Sequence, residues 1–236
     1  MEGPGSPAPL LCSDGAALLV SIGVERRAEF VFWISLTAFV LLSAVASAGL
    51  LHSTDAWVLN VVQSRASEPL DTAAAIFSVP GTAEYAGAAM LMLTTALSLK
   101  GRRPLAWRLL VAFLATGVFE FVMKLWLPQA SMPEETARST DPSPLVDVYY
   151  PHPYPSGHML RSVIVLGAVF VLWQNRLARA AVLAVLCGVA ASRVYLGVHW
   201  ISDVIGGALL GVAGLAWAFK ARKRASMPPG LAGDSL

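Results

Sequence analysis

Two histidines, one aspartate and three cations fall at spacings that can build a site for an oxyanion. His199 and Asp203 stand four residues apart in HWISD, so on a helix they face the same way. An aspartate so placed accepts a hydrogen bond from one imidazole nitrogen. That fixes the tautomer and leaves the other nitrogen as a nucleophile or base. Arg193 lies six residues before His199. His158 follows Ser156 and Gly157 in YPHPYPSGHMLRS, residues 150–162. Pro151, Pro153 and Pro155 forbid a helix in the first half of that stretch. A helix opening at Gly157 offers backbone N–H groups and a dipole that favours an anion, with the Ser156 hydroxyl beside them. Lys124, Arg161 and Arg193 add positive charge, and such a set suits a phosphate. Two histidines beside a phosphate suit one nucleophile and one general acid. Fixed cations can supply the electrostatic stabilisation, so this reading needs no metal. A rival is a zinc site made of His158, His199 and Asp203 with one open position. The cations crowding the same rim count against it, because they would repel a metal. The two cysteines, Cys12 and Cys187, point to neither a disulfide framework nor a metal site.

Apolar helices must position these groups. Hydrophobic residues make up 56% of the 236-residue chain and charged ones 14%, against about 25% charged in a soluble domain. Mean hydropathy is +0.63. The composition predicts an all-α integral membrane protein and gives no sign of nucleic-acid binding. A bilayer core needs about 20 mostly apolar residues in helix. Six stretches qualify or come close: 30–51, 81–99, 105–127, 157–173, 177–196 and 201–219. Residues 52–80 carry Asp55, Arg65, Glu68 and Asp71 and are expected along the membrane surface as one or two short helices. The run at 15–24 is too short to span and is expected as an interfacial or loosely packed lead-in. This divides the chain into an N-terminal segment (1–29), a six-helix membrane domain (30–219) and a basic, disordered tail (220–236).

Six spans put both termini on one side. Arg26, Arg27, Lys100, Arg102, Arg103, Arg108, Arg176, Arg179, Lys220, Arg222, Lys223 and Arg224 all fall on that side, 12 of the 17 basic residues. The positive-inside rule makes it cytoplasmic. The other five, Arg65, Lys124, Arg138, Arg161 and Arg193, fall on or near the opposite, extracytoplasmic rim. Lys124, Arg161 and Arg193 lie within expected spans, where charge costs about 2.5–3.5 kcal/mol at a helix centre and less near an end. Three cations gathered on one rim with two histidines mark that rim as the active site.

PSGH (155–158) and SRVYLGVHWISD (192–203) resemble two signatures of the type 2 phosphatidic acid phosphatase superfamily, PSGH and SRxxxxxHxxxD. They occur in the family's order and on one membrane face. The resemblance implies a membrane lipid-phosphate phosphatase that needs no cofactor. His199 would attack phosphorus and form a phosphohistidine, Asp203 would orient it, and His158 would protonate the leaving group. Lys124, Ser156, Gly157 and Arg193 would bind phosphate oxygens. The implied partners are the bilayer and a lipid phosphate: a polyprenyl diphosphate, phosphatidic acid or phosphatidylglycerophosphate. The implied location is a bacterial or archaeal plasma membrane, with the site facing outside.

The family's remaining signature, KxxxxxxRP, does not fit. After Lys124 the expected Arg-Pro positions hold Ser131 and Met132. Arg138 lies seven residues too late. Arg161 lies one turn beyond His158 on the same helix face and is the better substitute. Glu120, four residues before Lys124, is expected to pair with it. His52 is expected at the interface, and His152 in the proline loop is not assigned to substrate. Two other functions share most of these features. A phosphotransferase would use an alcohol in place of water, and a binding or transport protein would keep the anion site without turnover.

Overall fold

The computed structural model describes the backbone of residues 11–138 and 150–220, and side chains from residue 26 onward. Eight α-helices appear among these residues: α1 (Leu11–Ser47), α2 (His52–Gln63), α3 (Glu68–Ser78), α4 (Ala83–Leu99), α5 (Arg103–Trp126), α6 (Gly157–Leu172), α7 (Arg176–Tyr195) and α8 (Ile201–Phe219). Short 3-10 turns sit at Val79–Gly81 and Glu134–Thr136. The expectations for Arg222, Lys223, Arg224 and the rest of the tail beyond Lys220 lie outside the described residues.

Local chemistry sets the boundaries. Pro69 and Pro104 occupy the first turns of α3 and α5, where a missing N–H costs nothing. The Asn175 side chain caps α7, accepting from the Leu177 and Ala178 amides at 2.8 and 3.2 Å. α1 ends at Ser47, four residues short of the expected span end, because Gly49 takes a left-handed conformation (φ +72°). The Leu50 amide then bonds back to the Val45 carbonyl, which closes the helix. At its other end α1 begins at Leu11, so residues 15–24 continue the same helix instead of forming a separate lead-in. That stretch contains no proline to break it.

Among the described residues, four helices are long and apolar enough to cross a membrane: Arg26–Ser47 of α1, α5, α7 and α8. α4 and α6 are apolar but shorter, with 17 and 16 residues. α8 is the central helix, packed against α1, α5 and α6. Small residues along it, including Ala213, Ala216 and Ala218, let its neighbours approach closely. Phe39, Met90, Leu109, Leu160, Ile164 and Leu210 fill the space between α1, α4, α5, α6 and α8. At the basic end, Lys220 pairs with Glu29 at 2.9 Å, and the Arg108 guanidinium donates to the Lys220 carbonyl.

Residues 52–80 form two short helices, where one or two were expected. α3 packs on α7, and α2 touches α7 and α8. Gln63 donates to the Thr136 and Tyr195 carbonyls at 2.8 and 3.0 Å. Asp71 takes Arg138 in a two-pronged ion pair of 2.5 and 2.8 Å and accepts the Tyr195 hydroxyl at 2.6 Å. These bonds fasten the loop after α5 to the end of α7. The Arg138 bond first, then the Tyr195 bond, holds the Asp71 carboxyl below its ordinary value of 3.8. A depressed carboxyl adds stability above its unfolded pKa and loses it as pH falls through the folded one. The Tm of Asp71→Asn is therefore expected below wild type near neutrality. The gap should close on acidification through the region below pH 3.8. A gap that stayed constant across that range would remove the ion pair as its cause.

Candidate active site

Ends of α5, α6, α7 and α8 converge on one rim. α8 starts at Ile201, and Asp203 sits in its first turn. Its carboxylate accepts from the Trp200 amide at 2.9 Å and faces His199 Nδ1 at 3.2 Å. Asp203 is fully buried and His199 nearly so. With Nδ1 toward the carboxylate, the reactive nitrogen is Nε2. The pairing is the one expected, but it does not come from a shared helix face: His199 precedes the Trp200 cap, and Asp203 reaches back to both from the first turn.

Ser156 is the residue before α6, and its backbone N–H donates to the Asp203 carbonyl at 2.9 Å. One bond thus fixes the start of α6 against the start of α8, and brings the two motifs together. The Ser156 hydroxyl is buried without a hydrogen-bond partner. An orphaned buried hydroxyl beside a helix N-terminus is available to an incoming anion. His158, in the first turn of the same helix, feels the charges of Arg193, Arg161 and Lys124 and the neighbouring His199. Arg138 is not in that group.

Each cation has a partner. Lys124 pairs with Glu120 at 2.9 Å, the pairing expected from their spacing. The second oxygen of Glu120 takes Arg161 at 3.1 Å, and Arg161 also donates to the Gly81 carbonyl at 3.0 Å. One buried carboxylate therefore joins the two cations. Lys124 also lies over the Tyr150 ring at 4.6 Å, a favourable cation–π contact. Arg193 donates to Ser78 at 2.6 Å. Glu120 lies against Gly157, where an added Cβ would come within 2.0 Å of its Oε1. Gly157→Ala is thus expected to push Glu120 aside and loosen both cations. Its readout is a raised KM for substrate and weaker competitive inhibition by phosphate, with Tm changed little because a flexible side chain can yield. Unchanged phosphate inhibition would contradict this.

A cleft of about 270 Å³ opens beside these groups, lined by Lys124, His199, Tyr150, His152 and Val198 among others. His152, left without a role by the sequence, is therefore a wall of the cleft. Its Nδ1 lies 3.2 Å from the Gln129 carbonyl. His52 packs edge-on against Trp200 at 5.5 Å. Among the described residues no group of three or more His, Cys, Asp or Glu side chains converges as metal ligands.

Several supporting residues escaped the sequence reading. Asp55 of α2, buried, accepts from the Ser202 amide at 3.0 Å and its hydroxyl at 2.8 Å. Burial pushes its carboxyl up, and the Ser202 bonds pull it back. Ser202 also receives Gln129 Nε2 at 3.2 Å. Ser78 and Gly81 come from the end of α3 and the 3-10 turn after it. These contacts span 73 to 147 positions, so no local spacing announces them.

Fold and site together describe a helical membrane protein with a histidine–aspartate pair and a ring of cations at one end of its bundle. The chain belongs to the PAP2 superfamily, whose family model matches residues 86–227. Its fold is similar to the crystal structure of a transmembrane PAP2-type phosphatidylglycerolphosphate phosphatase from Bacillus subtilis. The TM-score is 0.65 at 18% identity, covering 78% of this chain and 92% of that one. Comparison with curated protein sequences gives no match.

Proposed function

We propose that this protein is an integral membrane lipid-phosphate phosphatase that works through a phosphohistidine on His199 without a metal. The carrying observation is His199, held at Nδ1 by buried Asp203 in the cleft that Lys124 also lines. A simple anion-binding site has no use for an oriented imidazole. Family membership and the shared fold support the same reading.

The substrate phosphate rests against Lys124, Arg161 and Arg193, with the Ser156 hydroxyl and the Gly157 amide as further donors. His199 Nε2 attacks phosphorus. The bond from phosphorus to the lipid oxygen breaks, and His158 gives its proton to that leaving oxygen. Neutral His158 then takes a proton from water, which attacks the phosphohistidine and releases phosphate. His199 returns to its starting form, so protons and phosphoryl group balance over the cycle. Cations fixed before substrate arrives stabilise the charge that develops on the phosphoryl oxygens.

We read six crossings, with α4 and α6 as the two short ones. Each reaches about 24–26 Å at 1.5 Å per residue, near the lower limit for a span. Both termini then lie in the cytoplasm, and the site faces outside. The lipid tail enters sideways between apolar helices, which leaves phosphatidic acid, phosphatidylglycerophosphate and polyprenyl diphosphates as candidate substrates. The test is phosphate release by the purified protein from that panel of lipids, with excess EDTA. Release from at least one lipid in EDTA is expected. Release restored only by added metal would overturn the metal-free mechanism, and no release from any lipid would overturn the enzyme reading.

A further inference from the structure

The turn between α4 and α5 carries Lys100, Arg102 and Arg103, all exposed. None of them forms an ion pair with a described residue. Two grooves run up to this turn. One, of about 670 Å³, lies between α4 and α6 and has Leu93, Leu97 and Leu172 in its walls and Lys100 and Arg102 at its end. The other, of about 420 Å³, lies between α4 and α5, with Leu99 and Leu110 in its walls and Arg103 at its end. The α4 residues in the first groove are 93, 96, 97 and 100; those in the second are 94, 95, 98 and 99. At about 100° per residue these sets lie on opposite faces of the helix. Trp173 borders the first groove and Trp107 the second. Both are mostly exposed, as expected of rings at the depth of lipid headgroups.

We propose that this turn is a binding site for an anionic glycerophospholipid. The headgroup phosphate rests on Lys100, Arg102 and Arg103, and the two acyl chains straddle α4, one in each groove. Charge complementarity selects the anionic class: three cations without an acidic partner among the described residues stand where two largely apolar grooves end. Basic pockets between membrane helices hold such headgroups by this chemistry. The grooves select a lipid over free phosphate, because exposed cations alone hold a small ion weakly in salt. The site is separate from the catalytic rim. Lys124 lies 21 residues beyond Arg103 on α5, about 30 Å away along the helix. The lipid fastens α4, one of the two short apolar helices, to α5 and α6. The proposal needs only membrane embedding and does not rest on the phosphatase mechanism.

The test uses the full chain in detergent with phosphatidylglycerol or phosphatidylcholine of identical acyl chains. Native mass spectrometry counts bound lipid, and thermal unfolding reads its effect. Phosphatidylglycerol is expected to stay bound and to raise Tm more than phosphatidylcholine. The triple variant K100Q/R102Q/R103Q is expected to bind phosphatidylglycerol about 10²-fold more weakly and to lose the preference. The Arg26→Gln/Arg27→Gln double variant should keep it, since those charges lie on α1. Ala96→Phe, which fills the first groove and leaves every cation in place, should also weaken phosphatidylglycerol. It serves as a second probe if the triple variant misfolds. Inorganic phosphate at the same concentration should leave Tm unmoved. Equal binding of the two lipids by wild type, a preference surviving in the triple variant, or a matching shift from inorganic phosphate would each overturn the proposal.

Discussion

Replacing His199 with Ala is expected to lower phosphate release by at least about 10⁴-fold, because the covalent route loses its nucleophile. Asp203→Asn should lower it less, by about 10²- to 10⁴-fold, since the imidazole stays in place but its tautomer is no longer fixed. The Asp203 carboxylate accepts from both His199 Nδ1 and the Trp200 amide. An asparagine can satisfy the amide through its oxygen, so the start of α8 should survive. Tm is thus expected to change far less in Asp203→Asn than activity does. Phosphate release assays at saturating lipid, beside a melting curve for each variant, separate the two effects. Wild-type release by His199→Ala would remove that residue from the chemistry.

The second large effect concerns the arginine missing after Lys124. Arg161→Ala is expected to cost about 10²- to 10³-fold in kcat/KM, the usual loss when one fixed donor to transition-state charge is removed. Arg138→Ala should cost less than about threefold, because the Arg138 guanidinium is taken up by the part-buried Asp71 carboxylate and would have to leave it to reach a phosphate. Arg161 shares Glu120 with Lys124 and acts on His158. Arg161→Lys should recover part of the loss, as it keeps the charge but not the fork. Steady-state kinetics of the three variants side by side decide the matter. A larger loss for Arg138→Ala than for Arg161→Ala would reverse the assignment.

The parts of the site legible in the sequence are those that depend on short spacings. Glu120 with Lys124 is a four-residue pair that any helix brings together. His199 with Asp203 was legible as a four-residue spacing, although His199 stands just before α8 and Asp203 reaches back to it from the first turn. The start of α6 was visible because three prolines end just before Gly157. The extents of α5, α6, α7 and α8 follow from apolar runs bounded by charge or proline, and each falls within two residues of expectation. What stayed hidden depends on distant contacts. Nothing near Glu120 shows that its second oxygen reaches Arg161, 41 positions away. Nothing near Asp55 shows that it meets Ser202 at the first turn of α8. The polar residues of 52–80 read as a surface segment; in the fold they brace the loop and the ends of α7 and α8. α1 differs from expectation at both ends. An unbroken helix needs no apolar span to continue, and one glycine ended it earlier than hydropathy did.

The central claim is a covalent phosphoryl group on His199. Rapid quenching of the purified enzyme in alkali during turnover, followed by peptide mass spectrometry, tests it directly. The expected result is a phosphoryl adduct on the peptide carrying His199, stable in base, lost in acid and absent from His199→Ala. An active enzyme whose adduct lies on another residue, or that persists in His199→Ala, would contradict the mechanism.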